Sequence, residues 1–329
     1  MGESTVDSFF QRKVTRRSVN KNLVKGAGAA LTATIVGRGA YETGSDVYQA
    51  GKETVEEVKR AYKSVAFWAH KSPGAIQVFE GGVLVEPLKK QSKNEFGLVL
   101  HYFEKDSQKK KDAAKLVREM RVVIATNPDY QSDMLFKVTD KHSDFISKTA
   151  GEYGVDSNLA IGVVFVENGG GEARRNEVSG ATGVAQLMPD AAKRYGLSVD
   201  PANDERKNPQ KSIVAMCQYL RDLNNEFLDQ GLAVWGYHAG EGNVYEGLRT
   251  YFMDIDDNDY GDPIEGPQAV QSAESYRKLI RERNLTVHDV LQNPRVKKEF
   301  LSTLKDESEL YIYKVVAASQ LYRIDKEML

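Results

Sequence analysis

One carboxyl group stands at the end of an apolar segment of this sequence. The run from Leu159 to Val166 is apolar throughout, Glu167 ends it, and Asn168 and three glycines follow. Burial raises the pKa of a carboxyl group, and so does the negative C-terminal end of a helix. A carboxyl group that keeps its proton near neutral pH can act as a general acid. The alternative, on this stretch alone, is a surface glutamate at a frayed helix end.

Three further motifs follow Glu167 along the chain. VSGATGVAQLMPDAAKRYG at 178–196 carries polar and thioether side chains on a glycine-containing loop, WGYHAGEGNV at 235–244 carries aromatic ones at a helix end, and YIYKVVAA at 311–318 begins a terminal helix. Each motif alone is a weak signal. The pairing of G-x-x-Q-L-M-P with Y-x-A-G-x-G-x-V after a helix-ending glutamate is much more specific.

In this order the motifs resemble the lytic transglycosylase family with the soluble-type, lysozyme-like catalytic domain. The resemblance covers roughly residues 138–250 and 305–325. It implies that Glu167 is the single catalytic acid and that the glycan strands of peptidoglycan are the substrate. Glu307 is a weak match to the acid that precedes the family's terminal helix. The resemblance also implies substrate-binding roles for five residues: Ser179, Gln186, Met188, Tyr237 and His238.

Several positions depart from the family pattern. Asn168 replaces a serine after the catalytic glutamate, Ala185 replaces a methionine, and His238 replaces an asparagine. The segment NGGGEARRNEV is longer than usual and SGATG is shorter. We therefore expect a remodelled substrate loop, and we expect His238 to be a polar substitute rather than a new acid or base.

The chemistry implied by the resemblance needs one carboxyl group and no metal or organic cofactor. Glu167 would protonate the oxygen between N-acetylmuramic acid and N-acetylglucosamine, and would then take a proton from the muramic C6 hydroxyl, which closes a 1,6-anhydro ring. If water attacked instead, the protein would be a muramidase. Most glycosidases use a second carboxylate, for which Glu172, Glu177 and Asp190 are nearby candidates. We expect Glu172 and Glu177 to form solvated pairs with neighbouring arginines.

Two non-enzymatic alternatives stay open at this point. A glycan-binding or cell-wall assembly module on a degenerate lysozyme-like scaffold would explain the departures from the family pattern. The second alternative is a structural protein tethered by a coiled coil. It is based on the near-heptad spacing of apolar residues over 46–69. Retention of Glu167 favours the enzyme.

The segment DIDDNDYGDPIE at 254–265 has some of the spacing of a calcium loop. Asp254, Asp256, Asn258 and Glu265 occupy ligand positions, but Asp259 stands where the loop needs glycine. We therefore expect an acidic, solvated loop and no metal site.

Composition excludes several classes of protein. The 329 residues contain 45 Lys+Arg and 47 Asp+Glu, which gives no basic bias for nucleic acid. The single cysteine, Cys217, lies in an apolar helical pattern and is expected to be buried and inert. No uncharged apolar stretch reaches the roughly 18 residues that span a bilayer.

The patterns predict a mainly α protein: a lysozyme-like catalytic domain preceded by a helical N-terminal region. Residues 1–45 are predicted to be an export signal, a membrane anchor or a disordered basic tail, and residues 46–137 a helical region of unknown role. Residues 138–329 form the catalytic domain, with an insert at about 251–304 that caps or extends the cleft. Helices are expected over 46–69 and 108–125, and QVFEGGVLVEP at 77–87 is either a hairpin or a loop.

The N-terminal segment resembles a twin-arginine export signal. Arg16 and Arg17 precede an uncharged stretch from Gly26 to Gly37. We therefore expect export to the periplasm, the cell envelope or the exterior. In one alternative the segment is not cleaved and serves as a peripheral membrane tether.

Overall fold

The computed structural model describes residues 76–79, 82–85, 107–126, 133–168, 171–266, 268–304 and 308–327. This part of the chain is mainly α-helical, as predicted. The predicted export segment and the predicted helix over 46–69 lie outside the described residues, and so does Glu307. No helix within the described residues combines the length and apolar composition needed to cross a membrane.

The part of the chain that the structure describes contains ten α-helices. They are α1 (Ser107–Thr126), α2 (Asp133–Glu152), α3 (Ser157–Asn168), α4 (Pro189–Arg194), α5 (Pro209–Phe227), α6 (Gln230–Ala239), α7 (Glu241–Asp256), α8 (Ala269–Arg283), α9 (Val287–Gln292) and α10 (Ser308–Glu327). A short π-helix (Val296–Phe300) and 3-10 turns (Glu205–Lys207 and Leu301–Thr303) complete the helical structure.

Two small antiparallel sheets account for the described strands. β1 (Ile76–Phe79) pairs with β2 (Gly82–Val85), with Ile76 opposite Val85. Of the two alternatives for this segment, the hairpin is therefore the one that forms. β3 (Val199–Asp200) pairs with β4 (Asn203–Asp204) in the loop between α4 and α5.

Helix α3 is the centre of the core because it is apolar on every side. It packs between α2 and α10, and Val163, Val164 and Phe165 are fully buried. A helix that is apolar all round is stable only when it is surrounded by others.

A glycine sets the distance between α3 and α10. A Cβ atom added at Gly162 would lie 2.3 Å from the backbone oxygen of Val315, so only glycine permits this approach. Five residues further along α3 is Glu167, and four residues back along α10 is Tyr311. The two helices therefore run antiparallel, and the C-terminal end of α3 meets the N-terminal end of α10.

The start of α3 is fixed by a glycine turn and a side-chain cap. Gly154 ends the preceding turn with a positive φ of 68°. The side chain of Asp156 accepts hydrogen bonds from the backbone N–H groups of Asn158 (2.8 Å) and Leu159 (3.1 Å). Asp156 is therefore the N-cap of α3.

Helix α1 shares the core of the helices that follow it. It packs along α10, and Val117 and Ile124 are fully buried. Val123, next to Ile124 in the sequence, is 36% exposed. The Nζ of Lys109 also lies 2.5 Å from Oδ1 of Asp289. Helix α1 thus packs as part of one globular unit, whereas the domain boundary at residues 137 and 138 stays a prediction.

Residues of the predicted insert also join this core. Tyr276 of α8 is fully buried, and its ring centroid lies 5.8 Å from that of Tyr245 and 6.1 Å from that of Phe252. Cys217 on α5 is buried as well, and burial raises the pKa of its thiol to about 12, which makes it unreactive.

Candidate active site

Glu167 lies at the end of α3, where the apolar helix meets the glycine-rich loop. The residue is half-buried, and loss of water around its carboxyl group raises the pKa to about 7 from an ordinary 4.5. A hydrogen bond from Tyr311 and the positive charge of Arg174 oppose this rise without cancelling it. The carboxyl group is therefore divided between its acid and carboxylate forms near neutral pH.

Tyr311 is the direct partner of this carboxyl group. Its hydroxyl donates to Oε1 of Glu167 at 2.6 Å, and the residue is only 3% exposed. The imidazole of His238 stacks on the Tyr311 ring, with centroids 4.2 Å apart and planes 9° from parallel. Sequence reasoning missed Tyr311 as a site residue, although it is the first aromatic of the YIYKVVAA motif.

Tyr237 lies close to Glu167 but bonds elsewhere. Its hydroxyl donates to the backbone oxygen of Ala185 at 2.5 Å. Burial raises the pKa of Tyr237 far above its ordinary value, and the nearby charge of Glu167 adds to the rise. Tyr237 is thus a neutral hydrogen-bond donor that ties α6 to the loop before α4.

The side chain of Gln186 stabilises the same loop through hydrogen bonds to its backbone. Its backbone is left-handed, with a φ of 47°, and its Nε2 donates to the backbone oxygens of Arg174 (3.0 Å) and Gly183 (2.8 Å). The side chain therefore joins the loop after α3 to the loop before α4. Its role as a substrate ligand stays a prediction.

Arg206 holds the two ends of this loop, a role that no pattern in the sequence indicates. The residue is 3% exposed, and its Nη1 donates to the backbone oxygens of Gly180 and Leu187, both at 2.9 Å. Asp204 pairs with the other side of the guanidinium, at 2.8 and 2.9 Å. In the charged run NDERK, Arg206 looks like a solvated residue. Only the fold shows that it is buried.

Ser179 and Met188 lie on exposed parts of the loop. The Oγ of Ser179 accepts a hydrogen bond from the backbone N–H of Ala181 at 3.3 Å, and Met188 is 46% exposed where it precedes α4. His238 is exposed on one side and covered by Tyr311 on the other. The three side chains are accessible to a ligand, and their substrate-binding roles stay predictions.

The other nearby carboxylates have different environments from Glu167. Glu172 accepts hydrogen bonds from Lys141 Nζ at 2.7 Å and lies 2.7 Å from His142 Nε2. These contacts lower its pKa, so it is ionised at neutral pH. The expected pairing of Glu172 with an arginine is wrong, because α2 places two closer basic groups beside it. Glu177 does lie near an arginine, 3.9 Å from Arg175, and is largely exposed.

The acidic segment that begins in the last turn of α7 is held by hydrogen bonds to protein groups. Asp254 accepts from Asn293 at 2.9 Å, and Asp256 accepts from Arg283 at 2.7 Å and Tyr260 at 3.0 Å. Within the described ranges, no group of three or more His, Cys, Asp or Glu side chains is arranged to hold a metal ion.

The match to a known family falls on the part of the chain that builds this site. The family model described as the Transglycosylase SLT domain matches residues 144–258, from α2 to the end of α7. Over these residues the chain is similar to the SLT domain. The match confirms the family predicted from the motifs, over a range that includes Glu167 and the two motifs after it.

Curated relatives agree with this family. The chain is similar to the endo-type membrane-bound lytic murein transglycosylase A of Klebsiella pneumoniae, at 31% identity over 105 residues, which are 30% of this chain and 51% of that protein. It is 30% identical to the transglycosylase of Enterobacteria phage PRD1 over 105 residues, 32% of this chain and 37% of that protein. The chain spans about half the length of the first of these relatives.

Proposed function

We propose that this protein is a peptidoglycan lytic transglycosylase in which Glu167 is the only catalytic carboxyl group. The observation that carries the proposal is the environment of Glu167. Burial raises the pKa of its carboxyl group to about 7, whereas Glu172, on the loop after α3, is ionised. The SLT domain and the names of the relatives support the substrate class.

In the first step, protonated Glu167 gives its proton to the glycosidic oxygen between N-acetylmuramic acid and N-acetylglucosamine. The bond from the muramic C1 to that oxygen breaks, and the glucosamine unit leaves with a hydroxyl. The substrate's own acetamido group stabilises the positive charge at C1, as in other substrate-assisted reactions. No second protein carboxylate takes part.

In the second step, Glu167 acts as the base. As a carboxylate it removes the proton from the muramic C6 hydroxyl, whose oxygen bonds to C1 and closes the 1,6-anhydro ring. Glu167 ends the cycle protonated, and no water is consumed. A pKa near the working pH serves both steps, because one group must give a proton and then take one.

Tyr311 keeps Glu167 in place during this exchange. Its hydroxyl donates to one carboxyl oxygen, Oε1, which fixes the orientation of the group. The stacked ring of His238 restrains the Tyr311 ring in turn. Glu167 and Tyr311 are preorganised because the contact between Gly162 and Val315 keeps α3 and α10 from sliding past each other.

We further propose that the protein works in the cell envelope. The predicted export signal in residues 1–45 and the membrane-bound relative both support this location. Replacing Arg16 and Arg17 with lysine should retain a twin-arginine substrate inside the cell. Unchanged secretion would contradict that route.

The test is digestion of purified sacculi, with fragments weighed by mass spectrometry. The native protein should release fragments one water lighter than hydrolysis products, and Glu167→Gln should release none, since an amide cannot deliver the proton. Glu152→Gln, the same change at an exposed residue of α2, should leave the release unchanged.

Other results would point to the alternatives. Fragments with a reducing muramic acid would make the protein a muramidase. Absence of any fragments from the folded native protein would favour the glycan-binding module.

A further inference from the structure

The carboxylate of Glu172 fixes the glycine-rich loop after α3 to the side of α2. Its Oε1 lies 2.7 Å from Nζ of Lys141 and 2.7 Å from Nε2 of His142. The side chain of His142 is 10% exposed and that of Glu172 is 31% exposed, so this contact is partly shielded from water. Glu172 is therefore a charged anchor at the start of the loop.

The chain between Glu167 and this anchor has unusual conformational freedom. It consists of Asn168 and three glycines, and Gly171, directly before the anchor, has a φ of 146°. Glycine gives up more backbone entropy than any other residue when it is fixed in one conformation. A side chain that holds the residue after the glycines therefore limits the positions that the rest of the loop can take.

Two residues beyond the anchor, the backbone of Arg174 is fixed to the loop before α4. Its carbonyl oxygen accepts hydrogen bonds from the backbone N–H of Gly183 at 2.8 Å and from Nε2 of Gln186 at 3.0 Å. The segment from Glu172 to Arg174 is thus held by α2 at one end and by the loop before α4 at the other.

This segment carries a positive charge that acts on Glu167. The side chain of Arg174 is exposed, and its charge lowers the pKa of Glu167. Tyr311 of α10 and Tyr237 of α6 also interact with Glu167, and both are uncharged when their hydroxyl groups donate. The effect of Arg174 depends on where the loop holds it, because the interaction between two charges weakens with distance.

We infer that Glu172 is a positioning residue of the reaction, which holds the loop so that the charge of Arg174 lies beside Glu167. The inference rests on the proposed function, and it gives Glu172 a role different from that of a second catalytic carboxylate. A positive charge beside Glu167 favours its carboxylate form, which is the base of the second step.

The test is an infrared titration of the Glu167 carboxyl group in variants of the loop. Each variant is compared with the same variant carrying Glu167→Gln, so that the difference spectrum isolates the Glu167 band. Arg174→Gln should move the midpoint to higher pH by about half a unit, because a charge that favours the carboxylate is lost. Glu172→Ala should move it in the same direction, because the released loop lets Arg174 move away.

The direction of the shift separates the positioning role of Glu172 from the effect of its own charge. Loss of a negative charge alone would move the midpoint to lower pH, because a nearby carboxylate raises the pKa of another acid. Glu172→Asp keeps the charge but shortens the side chain. It should also move the midpoint to higher pH, and it serves as the test if the alanine variant is unstable.

A double variant shows whether Glu172 acts through Arg174. Glu172→Ala/Arg174→Gln should shift the midpoint no further than Arg174→Gln alone, because both changes remove the same charge from the site. Shifts that add would overturn the inference. So would an unchanged midpoint in Glu172→Ala, or one that moves to lower pH.

Glu177→Ala is the matched control on the same loop. The side chain of Glu177 is 85% exposed and lies 3.9 Å from Arg175, so its loss should leave the midpoint unchanged. A shift equal to that of Glu172→Ala would contradict a specific role for Glu172. If the native protein releases no fragments from sacculi, the proposed function fails, whereas the midpoints still decide whether Glu172 places Arg174.

Discussion

At the scale of single residues, the burial of Glu167 and its hydrogen bond from Tyr311 together set the pKa of the catalytic carboxyl group. Burial raises the pKa of Glu167, and the hydroxyl of Tyr311 partly offsets this by donating to the carboxylate form. The position of Glu167 could be predicted from the sequence, because an acid at the end of an apolar helix is unusual. Tyr311 could not, since it is 144 residues away along the chain and only helix packing brings it there.

We predict that Tyr311→Phe moves the alkaline limb of the pH profile of kcat/KM to higher pH. The lost hydrogen bond favours the ionised carboxyl group, so its removal raises the pKa of Glu167 further above 7. The acid form, which the first step needs, then persists to higher pH. The measurement is the pH dependence of initial rates on soluble glycan.

The matched control changes another tyrosine of α10. The hydroxyl of Tyr322 donates to Asp140 at 3.1 Å, away from Glu167. Tyr322→Phe should leave the alkaline limb where it is. A profile that Tyr311→Phe does not move, or moves to lower pH, would contradict the role given to Tyr311.

At the scale of elements, the contact of α3 with α10 positions both site residues. We predict that Gly162→Ala lowers the free energy of unfolding by about 1–3 kcal/mol, because the new methyl group would meet the Val315 backbone at 2.3 Å. Activity should fall as well, since separating the helices moves Tyr311 away from Glu167. Chemical denaturation and sacculus digestion measure the two effects.

Gly151→Ala is the control for this helix contact. Gly151 is also helical, on α2, and a Cβ atom there would have no neighbour within 4 Å. Its replacement should be neutral or stabilising by up to about 1 kcal/mol. Equal effects of the two changes would show that helix propensity, rather than the α3–α10 contact, explains the result.

Most of the described helices could be predicted, because their apolar periodicity and caps are local signals. α1 forms close to the predicted range of 108–125, and α3 ends one residue after Glu167, where the apolar run stops. Gly162 gave no comparable signal, since a glycine within an apolar helix does not say which backbone approaches it. The burial of Arg206 could not be predicted, because its charged neighbours are typical of a solvent-exposed segment. In the fold its guanidinium group donates to two backbone carbonyl groups.

At the scale of the whole molecule, the unit that carries the site is larger than the matched domain. α1 and α10 lie outside residues 144–258, yet both pack into the same core. The apolar patterns of the sequence could predict a mainly α protein. They could not assign α1 to the core of the site, because an amphipathic helix has the same pattern whichever partner covers its apolar face.

We predict that Ile124→Ala lowers the free energy of unfolding by about 2–5 kcal/mol, as expected for a fully buried isoleucine. Val123→Ala, one residue earlier and 36% exposed, should change it by at most about 0.5 kcal/mol. Denaturant unfolding followed by circular dichroism makes the comparison. If both changes are equally mild, α1 does not belong to the core of the site.

The most direct test of the central claim is a titration of the Glu167 carboxyl group itself. Infrared difference spectra between the native protein and Glu167→Gln, recorded from pH 4 to pH 9, isolate its carbonyl stretch. We predict that the protonated carboxyl band persists at pH 6 and is lost with a midpoint of about 7. A midpoint near the ordinary 4.5 would contradict the account, because Glu167 would then hold no proton to deliver at neutral pH.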